Sequence, residues 1–268
     1  MAVDISKFVR SSELRPHVTF IYGVPGIGKT TFASFAPAPV FLMTEDGLMS
    51  PHLRKAQFLA AKGHKIQSYD EMLGWLEALA EGDHNFKTVI IDTISAFEPL
   101  LETAVLERYN ATAKKRVQSV SDIPYGQGPD LANEFWLRFM RACQAVRDNA
   151  GMSVIIVGHS VSRQVKPPDS EPYDRYEPAL HKKCWPLIIA ESDNVFFARR
   201  PVALKKEEGG FVEKHRAIAQ EDRRLFCEDA ATHVAKNRCD LPAYIPMNWA
   251  EYAEKVPFMT TEKQETSK

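Results

Sequence analysis

The stretch Val18-Thr19-Phe20-Ile21-Tyr22-Gly23-Val24-Pro25-Gly26-Ile27-Gly28-Lys29-Thr30-Thr31 decides how the rest of this chain is read. Its first residues form a short apolar run of strand-forming types. The next residues are a complete G-x-x-x-x-G-K-T loop, and a helical pattern follows it. Glycines let the backbone turn tightly and aim its N–H groups at an anion. The first turn of the helix adds its positive end. Lys29 is placed to neutralise the outer phosphates of a nucleoside triphosphate, and the Thr30 hydroxyl to hold Mg²⁺. Residues Gly23 to Thr31 are therefore expected to cradle the nucleotide.

Working outward, strands are expected at Val18–Tyr22, Pro39–Thr44, Thr88–Asp92 and Ser153–Val157. Each is nearly continuous in apolar residues, as for strands covered on both faces. Helices fall between them. Ser68-Tyr69-Asp70-Glu71 reads as a capping box ahead of Met72, Leu73, Leu76 and Leu79. Ser95-Ala96-Phe97-Glu98 repeats that signature, and a third helix spans about 130–149 with Gly151 past its end. The alternation predicts an α/β fold: a mostly parallel sheet flanked by helices. The proline-rich, charged stretch 160–183 reads as a long surface loop. A short helix at Trp185–Glu191 and a strand at Asn194–Ala198 follow. Residues 201–240 read as a β-rich C-terminal part with a turn at Gly209-Gly210. The expected organisation is an arm over 1–15, one domain over 16–250 and a charged, disordered tail over 251–268.

Further chemistry sits at strand ends, where open α/β sheets bind ligands. Val89-Ile90-Ile91-Asp92 is an apolar strand ending in a carboxylate, suited to share Mg²⁺ with Thr30. Glu45, after the second strand, is a candidate base for orienting water, with Asp46 its competitor. His159, after the Ser153–Val157 strand, is a candidate donor to a γ-phosphate.

Bulk composition excludes little. The chain has 268 residues, 44% hydrophobic and 26% charged, with a net charge of −1, so nucleic-acid contact must come from local basic loops. No apolar run reaches the ~20 residues of a membrane span, and no secretion signal is visible. The cysteines at 143, 184, 227 and 239 have no C-x-x-C spacing, which fits free thiols in a reducing cytoplasm. His233, between Cys227 and Cys239, matches no common zinc pattern.

Taken together, these pieces resemble the RecA-like ATPases, particularly phage-encoded nucleotide-binding proteins of AAA type that act in single-strand annealing and recombination. The resemblance spans about 16–248. It rests on Gly23–Thr30, Thr44-Glu45-Asp46-Gly47-Leu48, Ile91-Asp92-Thr93, Tyr125-Gly126-Gln127-Gly128, Gly158-His159, Tyr173-Asp174-Arg175-Tyr176-Glu177-Pro178 and Ala235-Lys236-Asn237-Arg238. It implies ATP and Mg²⁺ as cofactors, Glu45 as catalytic glutamate, and His159 as sensor where RecA has glutamine. Lys236 and Arg238 correspond to a K-x-R finger reaching a neighbour's site, and alternation along a strand would put both on one face. Arg199 and Arg200 are reserves. The implied partners are further copies of the chain, in a ring or filament, single-stranded DNA, and a single-strand binding protein. DNA would meet one loop at Lys114, Lys115 and Arg116. A second would offer Arg163, Lys166, Tyr173, Arg175, Tyr176, Lys182 and Lys183, pairing cations with stacking aromatics. Alternative readings are a ring helicase or loader, a small-molecule P-loop kinase, and an interaction protein with little hydrolysis.

Overall fold

Five apolar strands lie parallel at the centre of the protein: β1 (Val18–Gly23), β2 (Pro39–Met43), β3 (Thr88–Asp92), β4 (Ser153–Val165) and β6 (Asn194–Arg199). The computed structural model describes residues 15–45, 65–207, 214–219 and 221–260. Asp46, Gly47, Leu48, the Gly209-Gly210 turn, most of the expected arm and the end of the tail lie outside them.

Strand order across the sheet is β10-β9-β6-β1-β4-β3-β2, with β9 (Arg224–Phe226) and β10 (Tyr244–Pro246) antiparallel at one edge. β4 therefore stands between the loop-bearing strand and the strand ending in Asp92. The registers Gly23↔His159, Asp92↔Val157 and Met43↔Asp92 bring Gly23, Met43, Asp92 and His159 to one edge of the sheet.

Alternate side chains of each strand enter separate cores, which explains the unbroken apolar runs. Phe20, Tyr22, Leu42, Ile91, Ile156 and Phe197 face α2 (Tyr69–Glu81), α3 (Ile94–Asn110), α4 (Gly128–Ala150) and α5 (Trp185–Glu191). Ile21, Phe41, Ile90, Ile155 and Phe196 face α1 (Lys29–Ala33) and α6 (Trp249–Lys255). Tyr252, Val256 and Met259 are buried in this second core, so packed chain continues past the boundary expected at residue 250.

Local signals explain the helix ends. The Ser68 hydroxyl accepts from the Glu71 N–H at 3.1 Å, and Gly151 closes α4 in the left-handed region (φ 63°). Two expectations need correcting. Thr93, not Ser95, caps α3, its hydroxyl accepting from Ala96 N–H at 3.2 Å. Ser95 lies inside the first turn and is used elsewhere. Residues 160–183 are not one long loop. β4 runs on to Val165 and pairs antiparallel with β5 (Tyr173–Pro178), leaving a short connection at 166–172. The prolines fall in that connection or at the hairpin end, where no ladder N–H is lost. After β6 come a hairpin separate from the main sheet, β7 (Val202–Glu207)–β8 (Lys214–Ala219), and then β9 and β10. The irregular segment between those last strands is tied to β1: the Tyr22 hydroxyl donates to Val234 O at 2.7 Å and accepts from its N–H at 2.9 Å.

Candidate functional site: the phosphate loop and the strand ends

The loop between β1 and α1 takes a conformation that only glycine adopts freely at two points, Gly26 (φ 74°) and Gly28 (φ 101°). α1 is five residues long, so free N–H groups of the loop contribute more to anion binding than a helix dipole of that length. Lys29 is 5% exposed, its ammonium donating to Gly23 O at 3.0 Å and Val24 O at 3.1 Å. Burial pulls its pKa down to about 8, against the opposing pull of Asp92 and Glu45. An incoming phosphate offers this cation a better partner than carbonyl oxygens.

Asp92 ends β3 beside the loop, and the Thr30 hydroxyl donates to its Oδ2 at 2.6 Å. Burial raises the Asp92 pKa; the Thr30 hydrogen bond opposes the rise, and the Glu45 charge adds to it. A desolvated carboxylate touching a hydroxyl is a set of hard oxygen donors short of positive charge, which suits Mg²⁺. The residues present therefore fit the metal, with Thr30 and Asp92 as those that would hold it.

Glu45 follows β2. Its strand end is clasped to that of β3: Thr44 Oγ1 donates to Thr93 O at 2.6 Å and accepts from Thr93 N–H at 2.8 Å, both buried. From there Glu45 Oε1 lies 3.4 Å from Nε2 of His159, which extends β4. His159 is positioned through its backbone, whose N–H donates to Ser95 Oγ at 3.0 Å. The opposite ring nitrogen, Nδ1, is buried with no hydrogen-bond partner among the described residues. Three adjacent strands thus bring a carboxylate, an imidazole and the Thr30–Asp92 pair to one side of the loop.

The K-x-R pair is placed differently from expectation. Lys236 is not on a regular strand; it makes a single bridge to Val195. Its ammonium donates to Ile189 O (3.1 Å), Ala190 O (2.9 Å) and Ser192 O (2.6 Å), closing the C-terminal end of α5. Arg238 donates to Asp193 Oδ1 at 3.0 Å, with its side chain 55% exposed. The same aspartate accepts from Arg147 and from Val18 N–H at the start of β1, so Arg238 lies at the opposite end of the sheet from its own phosphate loop. The two cations do not share one open target. Of the reserves, Arg199 lies over the Tyr176 ring and Arg200 donates to Glu221 O.

The expected DNA-binding residues divide. Lys114, Lys115, Arg116, Lys166, Lys182 and Lys183 are exposed, and Tyr173 is half-buried. Arg163 is held by Glu177 (3.1 Å) and Leu180 O (2.7 Å), and Arg175 by Asp229 (2.6 Å) and His233 O (3.1 Å). The Tyr176 ring is stacked on Phe197 with centroids 5.1 Å apart. These last three serve the fold. Lys182 and Lys183 line one cavity with Val120, Ser121 and Gly126. Beside them Tyr125 is 96% exposed on a left-handed turn (φ 59°).

Sequence reading gave no place at the site to Ser95, read as a helix cap, to Thr44, quoted only within a motif, or to Arg223. The first two are polar residues whose partners lie on other strands. Arg223 donates to Ile27 O of the phosphate loop at 3.3 Å from 196 residues away, and no local pattern marks it. Among the described residues no cluster of His, Cys, Asp and Glu suits a transition metal, and His233 instead hydrogen-bonds Thr232 and Glu228 O.

Parallel sheet, glycine loop, buried lysine and strand-end aspartate together define a P-loop nucleotide-binding protein. Residues 15–239 match the family model of the AAA domain, and the chain belongs to that family of nucleotide-binding ATPases. A comparison with curated proteins found no match. No helix among the described residues is long and apolar enough to cross a membrane.

Proposed function

We propose that this protein is a RecA-like, Mg²⁺-dependent ATPase that hydrolyses ATP with Glu45 as the base, assembles with copies of itself and acts on single-stranded DNA. The observation that carries the reading is the Glu45–His159 pair, 3.4 Å apart on the same side of the loop as the Thr30–Asp92 pair. Phosphoryl transfer needs mainly positioning and charge stabilisation. Gly23 to Thr31 and Lys29 hold the phosphates, while Mg²⁺, when bound to Thr30 and Asp92, offsets charge on the outer phosphates. Glu45 accepts a proton from water as the water oxygen bonds to the γ-phosphorus; the bond to the bridging oxygen breaks and ADP leaves. His159 Nε2 chooses between Glu45 and a γ-phosphate oxygen, so the triphosphate itself releases the base. Water activation favours this reading over a small-molecule kinase, whose acceptor would have to be kept from a competing base.

Arg238 is half-exposed and far from its own loop, which leaves it able to serve a neighbour's site. Lys236 is spent on α5 and drops from the proposed finger. For DNA, the supporting residues are the exposed cations Lys114, Lys115, Arg116, Lys182 and Lys183 and the open ring of Tyr125, which is free to stack. A host-cell cytoplasmic setting and a single-strand binding protein as partner belong to the same reading.

The test is phosphate release with and without single-stranded DNA. Stimulation by DNA that is lost when Tyr125 and Lys182 are replaced by alanine supports the reading. Hydrolysis indifferent to DNA, with no DNA bound, removes the DNA half of it.

A further inference from the structure

A cavity of about 240 Å³ lies between α3, the start of α4 and the chain just before α5, and none of its lining residues belongs to the phosphate loop. Its walls are fixed by local bonding. In the chain linking α3 to α4, Asn110 donates to Val117 O at 3.0 Å and accepts from Val117 N–H at 2.9 Å. Gly128 packs so closely on Val120 that a Cβ there would overlap the Val120 carbonyl oxygen. On the other side, Glu98 Oε1 accepts from His181 N–H at 2.8 Å, and Asn133 Nδ2 donates to Lys183 O at 3.3 Å. The cavity is therefore held open by the fold itself.

Its lining is layered. Leu101, Ala132, Trp136 and Cys184 are buried and give an apolar floor. Glu98 and Glu102, one turn apart on α3, are half-buried, while Lys182 and Lys183 are exposed at the rim. Burial pushes the Glu98 carboxyl up to about 6; its bond from His181 opposes the rise, and the Glu102 charge adds to it. Arg163, whose charge also reaches Glu98, is bound to Glu177. Glu102 has no hydrogen bond or ion pair among the described residues, and neither rim lysine bridges to either carboxylate. Two desolvated acids thus face an apolar cavity short of positive charge, a state that a cation relieves.

We propose that this cavity binds a small zwitterion whose ammonium and carboxylate are separated by an apolar chain, with the ammonium between Glu98 and Glu102 and the carboxylate toward Lys182 and Lys183. An ammonium carries three N–H donors and can bond both acids at once. Glu98 keeps Oε2 for this purpose while Oε1 holds His181. The methylenes of the chain lie on Leu101 and Trp136, where their burial adds to affinity. A volume below the ~300–1,000 Å³ of drug-sized sites limits the occupant to a small molecule. Among the described residues no group of His, Cys, Asp and Glu is arranged to hold a metal ion, so the missing charge is an organic one.

The experiment measures calorimetric binding of 6-aminohexanoate, hexylamine and hexanoate to the full chain, to Glu102→Gln and to the double variant Lys182→Ala/Lys183→Ala. Because the two lysines are also candidate DNA contacts, DNA is left out. The parent chain is expected to bind 6-aminohexanoate about tenfold more tightly than hexylamine, and hexanoate more weakly than either. Glu102→Gln is expected to lose ~10–100-fold in affinity for 6-aminohexanoate while binding MgATP as the parent does, which shows that it is folded. The double lysine variant is expected to hold 6-aminohexanoate no better than hexylamine. No binding of 6-aminohexanoate at about 10 mM, equal binding of all three compounds, or parent-like affinity in either variant overturns the inference and leaves the phosphate loop untouched.

Discussion

Nε2 of His159 stands 3.4 Å from Oε1 of Glu45, so a residue midway along β4 and one just past the end of β2 meet beyond the end of β3, the strand between them. Replacing His159 by alanine is expected to lower ATP turnover by about 10²-fold while changing nucleotide affinity less than threefold. Parallel measurement of phosphate release and ATP binding checks this; unchanged turnover contradicts a sensing role.

Lys29 gives the site a pH dependence with a defined sign. Burial holds its pKa near 8, so in the free protein the ammonium is charged below that value and progressively neutral above it. Phosphates restore the charge, so binding at higher pH must take up a proton. ATP affinity is expected to fall as pH rises between about 8 and 9.5, and calorimetry in buffers of different ionisation enthalpy should detect the uptake. Flat affinity with no proton uptake over that range contradicts the coupling.

Thr30 and Asp92 should be distinguishable from Lys29 by metal dependence. Asp92→Asn is expected to raise the Mg²⁺ concentration needed for half-maximal turnover at least tenfold, whereas Lys29→Ala abolishes detectable nucleotide binding at any Mg²⁺ concentration. A Mg²⁺ titration of each variant separates the two.

Lys236 and Arg238 make opposite predictions. Lys236→Met strips the carbonyl end of α5 and is expected to cost about 1 kcal/mol in urea unfolding, with turnover of the remaining folded protein near normal. Arg238→Ala removes a half-exposed ion pair worth no more than ~1 kcal/mol, yet should depress turnover strongly, with partial recovery on mixing with Glu45→Gln subunits. Recovery fails if no subunit completes another's site.

Asp193 is the joint that fixes the far end of the sheet. Arg147 and Asp193 are both 6% exposed at the side chain and 2.9 Å apart, and Val18 N–H shares the same carboxylate oxygen. Asp193→Ala is expected to lose ~1–3 kcal/mol in chemical denaturation, because it leaves the buried Val18 N–H and one Arg147 nitrogen unpaired while Asp148 keeps the other two.

Much of this architecture could be read directly from the chain. The apolar runs ending in Tyr22, Asp92 and Val157 mark buried parallel strands, since both of their faces are covered, and Gly23–Thr30 identifies itself by spacing. The 160–183 stretch misled because prolines and charges in Pro167, Pro168 and Pro172 suit both a loop and a hairpin tip. Thr93 outcompeted Ser95 as a cap because the helix begins at once after Asp92. Lys236 carries a charge pattern that fits a finger equally well as a helix cap; only the position of α5 decides. Arg223 had no signal at all, because its partner is a backbone carbonyl 196 residues earlier.

Phosphate release by Glu45→Gln, measured beside its ATP affinity, tests the central claim most directly. The account expects binding within a few-fold of the parent chain and turnover at least ~10²-fold lower. Turnover equal to that of the parent chain would contradict it, because water would then be activated without the carboxylate that follows β2.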